Sequence, residues 1–210
     1  DKIRAAVPEH VKILEDAACA AGASYKGRPA GTLGDVAAFS FHPRKSITTG
    51  EGGMVTTNDD ALAARMNQMR NHGATISEEQ RHHGSRPYIL PAFNLLGFNY
   101  RMTDLQGAVG LVQLTKLNDF IEERAEKAAW YREALGDLEW LSLPKEPIDG
   151  KHGWQSFVTT VNPTSSPLPR NEVMERLQEK GISTRPGTHA VHALDIYKDL
   201  MKTQPEDLPG

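Results

Sequence analysis

The chain has 210 residues, 39% of them hydrophobic, which suffices for one good-sized domain or two small ones with packed cores. Its 24 basic and 27 acidic residues nearly balance, so no basic field points to nucleic acid, and no apolar run reaches the ~18 residues that span a bilayer. A single cysteine, Cys19, excludes an internal disulfide framework and fits a reducing cytoplasm, while the opening Asp-Lys-Ile-Arg lacks the apolar core of a signal peptide.

In chain order, Val11, Ile13 and Leu14 make a short apolar run within residues 9–16, which predicts a strand buried in a parallel sheet and ending in a carboxylate. Residues 17–23 are small, suited to close approach by a cofactor, and residues 24–35, with four glycines and prolines, read as a loop. Strand-like runs at 36–41 and 53–57 flank Lys45 and a glycine-rich turn. Asn58-Asp59-Asp60 predicts the cap of an alanine-rich helix over 60–70, and the polar stretch 73–92 reads as a long loop. Thr103-Asp-Leu-Gln106 has the form of a capping box and opens one long helical pattern running to Leu135. A proline-bearing connector (136–150), a strand over 154–161, a short amphipathic helix over 171–180 and an extended piece from Gly181 complete the chain.

The chemistry concentrates at Lys45. A lysine held at a strand end against tight backbone can lose hydration, which frees its amine as a nucleophile. Asp16 follows the preceding strand, where ligands gather in open α/β sheets. A lysine for a Schiff base and an aspartate for a pyridinium nitrogen meet two requirements of a pyridoxal phosphate site. Taken singly, a lysine beside a turn is usually a surface charge and an aspartate after a strand usually a helix cap.

Five segments occur in one order: Glu15-Asp16-Ala17-Ala18, Ser40-Phe-His-Pro-Arg-Lys45, Thr49-Gly-Glu-Gly-Gly53, Arg70-Asn-His-Gly73 and Gly97-Phe-Asn-Tyr-Arg-Met102. Through them, the chain resembles the DegT/DnrJ/EryC1/StrS family of sugar aminotransferases from near residue 1 to about residue 197. The resemblance implies a fold-type-I, aspartate-aminotransferase-like α/β protein, with residues 1–122 as the later part of the large domain and 123–210 as the start of a small one. It implies pyridoxal 5′-phosphate on Lys45 as an aldimine, Asp16 at the ring nitrogen, with Glu15 a rival carboxylate, and Ser40 at the phosphate. Cys19 stands where a glutamine is commonest and is expected to pack beside the ring, not to act as a catalytic thiol. The asparagine matching Asn99 reaches the phosphate of the neighbouring subunit, which implies a homodimer with shared sites; Arg101 would support that site or form a surface ion pair.

Arg185 and His189 fall in the segment that the family places near the substrate, where they could meet a carboxylate or a nucleotide phosphate. The pairs His82-His83 and His189/His192 lack acidic or cysteine partners at ligand spacing, so no metal is expected. The implied reaction moves an amino group, commonly from L-glutamate, to a nucleotide-linked keto sugar. A related sugar dehydratase is disfavoured because those relatives carry histidine in place of the lysine. A non-catalytic regulator or binding module on the same fold is the rival from another class. Members of the family are much longer than this chain, and both its ends read as cut, with no counterpart to the family's N-terminal phosphate-binding turn and ring-stacking residue.

Overall fold

A computed structural model describes the chain except for residues 85, 87, 203, 205, 206 and 208–210, so the segment from Glu206 that reads as a cut end lies mostly outside the described residues. The chain starts with a short helix, α1 (Lys2–Ala6), and reaches its first strand, β1 (Leu14–Asp16), through irregular backbone. A hairpin of β2 (Ser24–Tyr25) and β3 (Arg28–Pro29) stands where the glycine and proline content predicts only a loop. Then come β4 (Val36–Ser40) and β5 (Gly53–Thr56). β4 lies between the other two strands of its sheet, parallel to β1 with Asp16 beside Ala38, and antiparallel to β5 with Ser40 beside Gly53.

Asp35 ties the far end of this sheet together. Its carboxylate accepts from the Ile13 N–H at 2.8 Å and pairs with Arg4 and Lys12, and its carbonyl accepts from the Thr57 hydroxyl at 2.7 Å. The Ile13 N–H first, and the Arg4 guanidinium second, hold its carboxyl down from the usual 3.8 to about 2. β1 is shorter and more open than the sequence predicts: Leu14 is 67% exposed, with only a middle residue half-buried.

Helix α2 (Asp60–Arg70) follows the sequence reading, with the Asp59 carboxylate accepting from the Leu62 N–H at 3.0 Å. The polar stretch after it is not all loop. It holds α3 (Glu78–His83), opened by a capping box between Ser77 and Gln80. The capping box at Thr103 and Gln106 opens α4 (Asp104–Thr115). The single long helix expected from there is two, because at Lys116 the N–H turns back to the Gln113 carbonyl before α5 (Leu117–Leu135) begins. On α5, Ile121 is fully buried, and Gly22 lies so close that a Cβ there would meet the Ile121 side chain at 2.6 Å.

The chain divides into two units, residues 1–133 with 145–157 and residues 134–144 with 158–210, and positions 122 and 123 both lie inside α5. The second unit pairs β6 (Leu141–Ser142) with the strand at Thr160–Val161. Between those two in sequence, β7 (Gly150–Lys151) returns to the first unit and pairs with β2. The strand at Thr160–Val161 is thus β8, all that forms of the one expected over 154–161. Helices α6 (Arg170–Glu179) and α7 (Asp195–Met201) follow, and residues 181–184 form no strand. No helix among the described residues is long and apolar enough to cross a membrane.

Candidate cofactor site

The parallel register of β1 and β4 sorts their side chains. Asp16, Ala38 and Ser40 share one face of the sheet; Glu15, Ala37 and Phe39 share the other. This separates the two adjacent carboxylates. Glu15 is occupied by structure, with its two oxygens accepting from the N–H groups of Gly31 at 2.8 Å and Leu33 at 3.0 Å. Asp16 is exposed at the end of its strand, and its Oδ1 accepts from the Ala18 N–H at 3.1 Å. That bond closes the turn that presents Cys19.

Lys45 sits in the loop between β4 and β5. The loop is closed by local bonds: the Lys45 N–H donates to the His42 carbonyl at 2.9 Å, and the Arg44 N–H to His42 Nδ1 at 3.1 Å. His42 is therefore part of the loop's framework. Farther along, the Thr48 hydroxyl and the Thr49 N–H both donate to the Phe41 carbonyl. From this loop the Lys45 side chain crosses to the neighbouring strand end, where Nζ donates to Cys19 Sγ at 2.9 Å. An amine, a thiol and a carboxylate that are far apart in sequence thus converge at the carboxyl end of two parallel strands. Ser40 ends β4 on the Asp16 face, and its Oγ accepts from the His42 N–H at 3.3 Å. This donor set suits pyridoxal phosphate: an amine for its aldehyde, a carboxylate for its ring nitrogen and a hydroxyl for its phosphate.

Asn99 belongs to a second constellation. The His72 N–H donates to the Phe98 carbonyl at 2.9 Å, the Phe98 N–H to Met69 at 2.7 Å, and the Tyr100 N–H to Arg70 at 2.9 Å. Asn71 and Asn99 lie opposite each other in a β-bridge, and Arg101 Nη1 donates to Asn71 Oδ1 at 2.7 Å. The last two sequence motifs are therefore one structural feature, with Arg101 as its lock. Asn99 is exposed, flanked by Phe98 and Tyr100 stacked 4.9 Å apart. Among the described residues no hydrogen bond joins it to Asp16, Ser40 or Lys45 of its own chain. Arg185 and His189 lie exposed in the second unit.

An apolar cavity of about 640 Å³ lies elsewhere, against Phe39, Met54, Leu111 and Leu114, on the sheet face opposite Asp16 and Ser40. None of the candidate residues lines it. No group of three or more His, Cys, Asp or Glu among the described residues is placed to hold a metal. Gln155 is not among the residues expected at the site, yet its side chain meets the lysine loop from more than a hundred residues away. No local pattern could have marked it.

The profile of the DegT/DnrJ/EryC1/StrS aminotransferase family matches residues 1–210. The chain belongs to that family. Its fold is accordingly the fold-type-I class of mixed α/β proteins, and aminotransferases of this family depend on pyridoxal 5′-phosphate. The GDP-perosamine synthase of Caulobacter vibrioides is 39% identical over 189 residues, which cover 90% of this chain and 48% of that protein. The GDP-perosamine synthase of Escherichia coli O157:H7 is 36% identical over 198 residues, covering 93% of this chain and 50% of that protein. The solved structure of an aminotransferase from Psychrobacter cryohalolentis superposes with a TM-score of 0.83 at 30% identity, covering 93% of this chain and 52% of that one. The chain spans about half the length of the curated relatives it matches.

Proposed function

We propose that this chain carries the catalytic lysine region of a pyridoxal phosphate-dependent aminotransferase that moves an amino group from an amino acid, L-glutamate first, to a nucleotide-linked keto sugar. The observation behind this reading is the Lys45–Cys19 contact of 2.9 Å, which sets a primary amine beside the turn that Asp16 opens. Glu15, the rival carboxylate, is engaged by two backbone N–H groups on the other face. The names of the two GDP-perosamine synthases support a nucleotide-sugar substrate.

When bound, the cofactor supplies an aldehyde and an electron-accepting ring. Lys45 Nζ holds that aldehyde and, once released, carries a proton to and from the substrate carbon. The Asp16 carboxylate keeps a proton on the ring nitrogen. The Ser40 hydroxyl donates to the phosphate, Cys19 packs beside the ring, and Arg185 and His189 meet the carboxylate or phosphate of the substrates. The protein works in the cytoplasm.

Borohydride treatment of the complete protein with pyridoxal phosphate should fix the cofactor on one peptide, with mass spectrometry placing it on Lys45. L-glutamate should then convert the bound cofactor to its amino form, and a panel of nucleotide keto sugars should reverse the change. Labelling at another lysine would sink the assignment. Binding without a half-reaction would leave a regulator or binding module.

The same reading makes the protein a homodimer with shared sites, Asn99 serving the neighbouring subunit. The chain runs from exposed Asn99 into α4, where Leu105, Val109 and Val112 form an apolar stripe open to solvent. Mixing Asn99→Ala with Lys45→Ala subunits should restore about a quarter of the sites, since half of the exchanged dimers are mixed and one site in each keeps both groups. No recovery after verified subunit exchange would count against shared sites.

A further inference from the structure

We propose that Gln155 is a positioning residue for the Lys45 amine, an inference that rests on Lys45 being the cofactor lysine. Its carboxamide closes on both chain neighbours of Lys45. Oε1 accepts from the Ser46 hydroxyl at 3.3 Å, and Nε2 donates to the Arg44 carbonyl. An amide side chain offers a donor and an acceptor side by side without needing to take up a proton, as a carboxylate would. Ser46 is buried, so its hydroxyl depends on a protein partner.

The clamp is itself anchored. Arg124 Nη1, from α5, donates to the Trp154 carbonyl at 3.1 Å and reaches the Gln155 carbonyl at 3.5 Å. Trp154 is buried, with φ at 42°, its N–H donating to His152 Nδ1 at 2.8 Å and its ring stacked on the same imidazole at 4.3 Å. Just before it, β7 is paired with β2. The segment 145–157 returns to the first unit and ends by gripping the loop that presents the lysine.

The local bonds to His42 set the shape of the loop, but they move with it. Gln155 ties Arg44 and Ser46 to a different part of the fold. A lysine side chain has four rotatable bonds, so where Nζ reaches depends on how firmly its backbone is held. A displacement of ~1 Å at a reacting group can cost ~100-fold in rate.

The test uses the complete protein. Gln155→Ala should lower kcat about 10- to 100-fold with little change in KM for the amino donor. It should slow borohydride-trapped labelling of the Lys45 peptide. In the cofactor-free protein, amide hydrogen exchange should quicken at Lys45, Ser46 and Ile47 and stay unchanged in β4. Ser46→Ala should reproduce these effects, Ser46→Thr should keep wild-type behaviour, and the double variant Gln155→Ala/Ser46→Ala should be no worse than the more damaging single one. Gln155→Glu keeps the acceptor for Ser46 but sets an oxygen against the Arg44 carbonyl, so it should fall with Gln155→Ala. Wild-type kcat and unchanged exchange in Gln155→Ala would overturn the proposal. If that variant does not fold, equal kcat in Ser46→Ala and Ser46→Thr overturns it instead. Cofactor trapped on another lysine of the wild-type protein would refute the reading of Lys45, whereas the exchange measurement tests the clamp without cofactor.

Discussion

Asp16→Asn is expected to leave cofactor capture at Lys45 intact and to lower transamination by ~100-fold or more. Asparagine keeps the shape of the side chain and an oxygen to accept from the Ala18 N–H, now at 3.1 Å, so the turn that presents Cys19 should survive. What disappears is the charge. Without it no carboxylate of this chain would hold a proton on the ring nitrogen, which the proposed reaction needs if the cofactor is to take up electrons from the substrate C–H bond. Each pKa unit of lost matching corresponds to ~1.4 kcal/mol, a factor of ten in rate, and two units are a modest allowance for an ion pair at such a site. Glu15→Gln is the comparison. Both of its oxygens accept from backbone N–H groups, and an amide has one oxygen to offer, so this variant should lose stability by about 1 kcal/mol and keep its turnover. Single-turnover kinetics on the two variants, with thermal unfolding alongside, separates the roles. Unchanged turnover in Asp16→Asn would remove it from the mechanism.

What the sequence made legible was what neighbours decide. The Asp59 cap, the Thr103–Gln106 capping box and β4 depend on residues within a few positions of each other, and each forms as read. The ordered motifs around Asp16 and Lys45 carried the family because the chemistry is written in single residues. What escaped depends on distance. β2, β3 and β7 are two residues each, too short for any periodicity, and β7 lies 125 positions from its partner strand when counted from Tyr25 to Gly150. α3 carries its own capping box at Ser77 and Gln80, but without an apolar stripe the signal reads as loop. The burial expected of β1 did not follow from Val11, Ile13 and Leu14, because burial depends on what lies against a strand, and Leu14 is open. Gln155 lies beyond any local signal for the same reason.

Gly73→Ala is expected to be among the most destabilising single substitutions in the chain, at about 3 kcal/mol or more. Two separate costs add. The residue has φ at +79°, a left-handed conformation that costs a residue with a Cβ roughly 1–2 kcal/mol. A Cβ there would also stand 2.0 Å from the Leu95 carbonyl oxygen, and that backbone cannot yield as a flexible side chain could. The reason for the crowding is the crossing of two motifs: a Cβ on Gly97 would in turn stand 2.0 Å from the Gly73 nitrogen. Opening that crossing would strain the bonds of His72 and Phe98 and shift the Asn71–Asn99 bridge, so an effect on the proposed shared site should accompany the loss of stability. Gly27 isolates the two costs, since its φ is +74° and nothing lies within 4 Å of the Cβ it would carry. Gly27→Ala should therefore show the conformational cost alone, about 1–2 kcal/mol. Urea unfolding of the two variants in the complete protein measures the difference directly. Equal losses would mean that the crossing relaxes at no cost, and that Asn99 is not held in place by the close approach of Gly73 and Gly97.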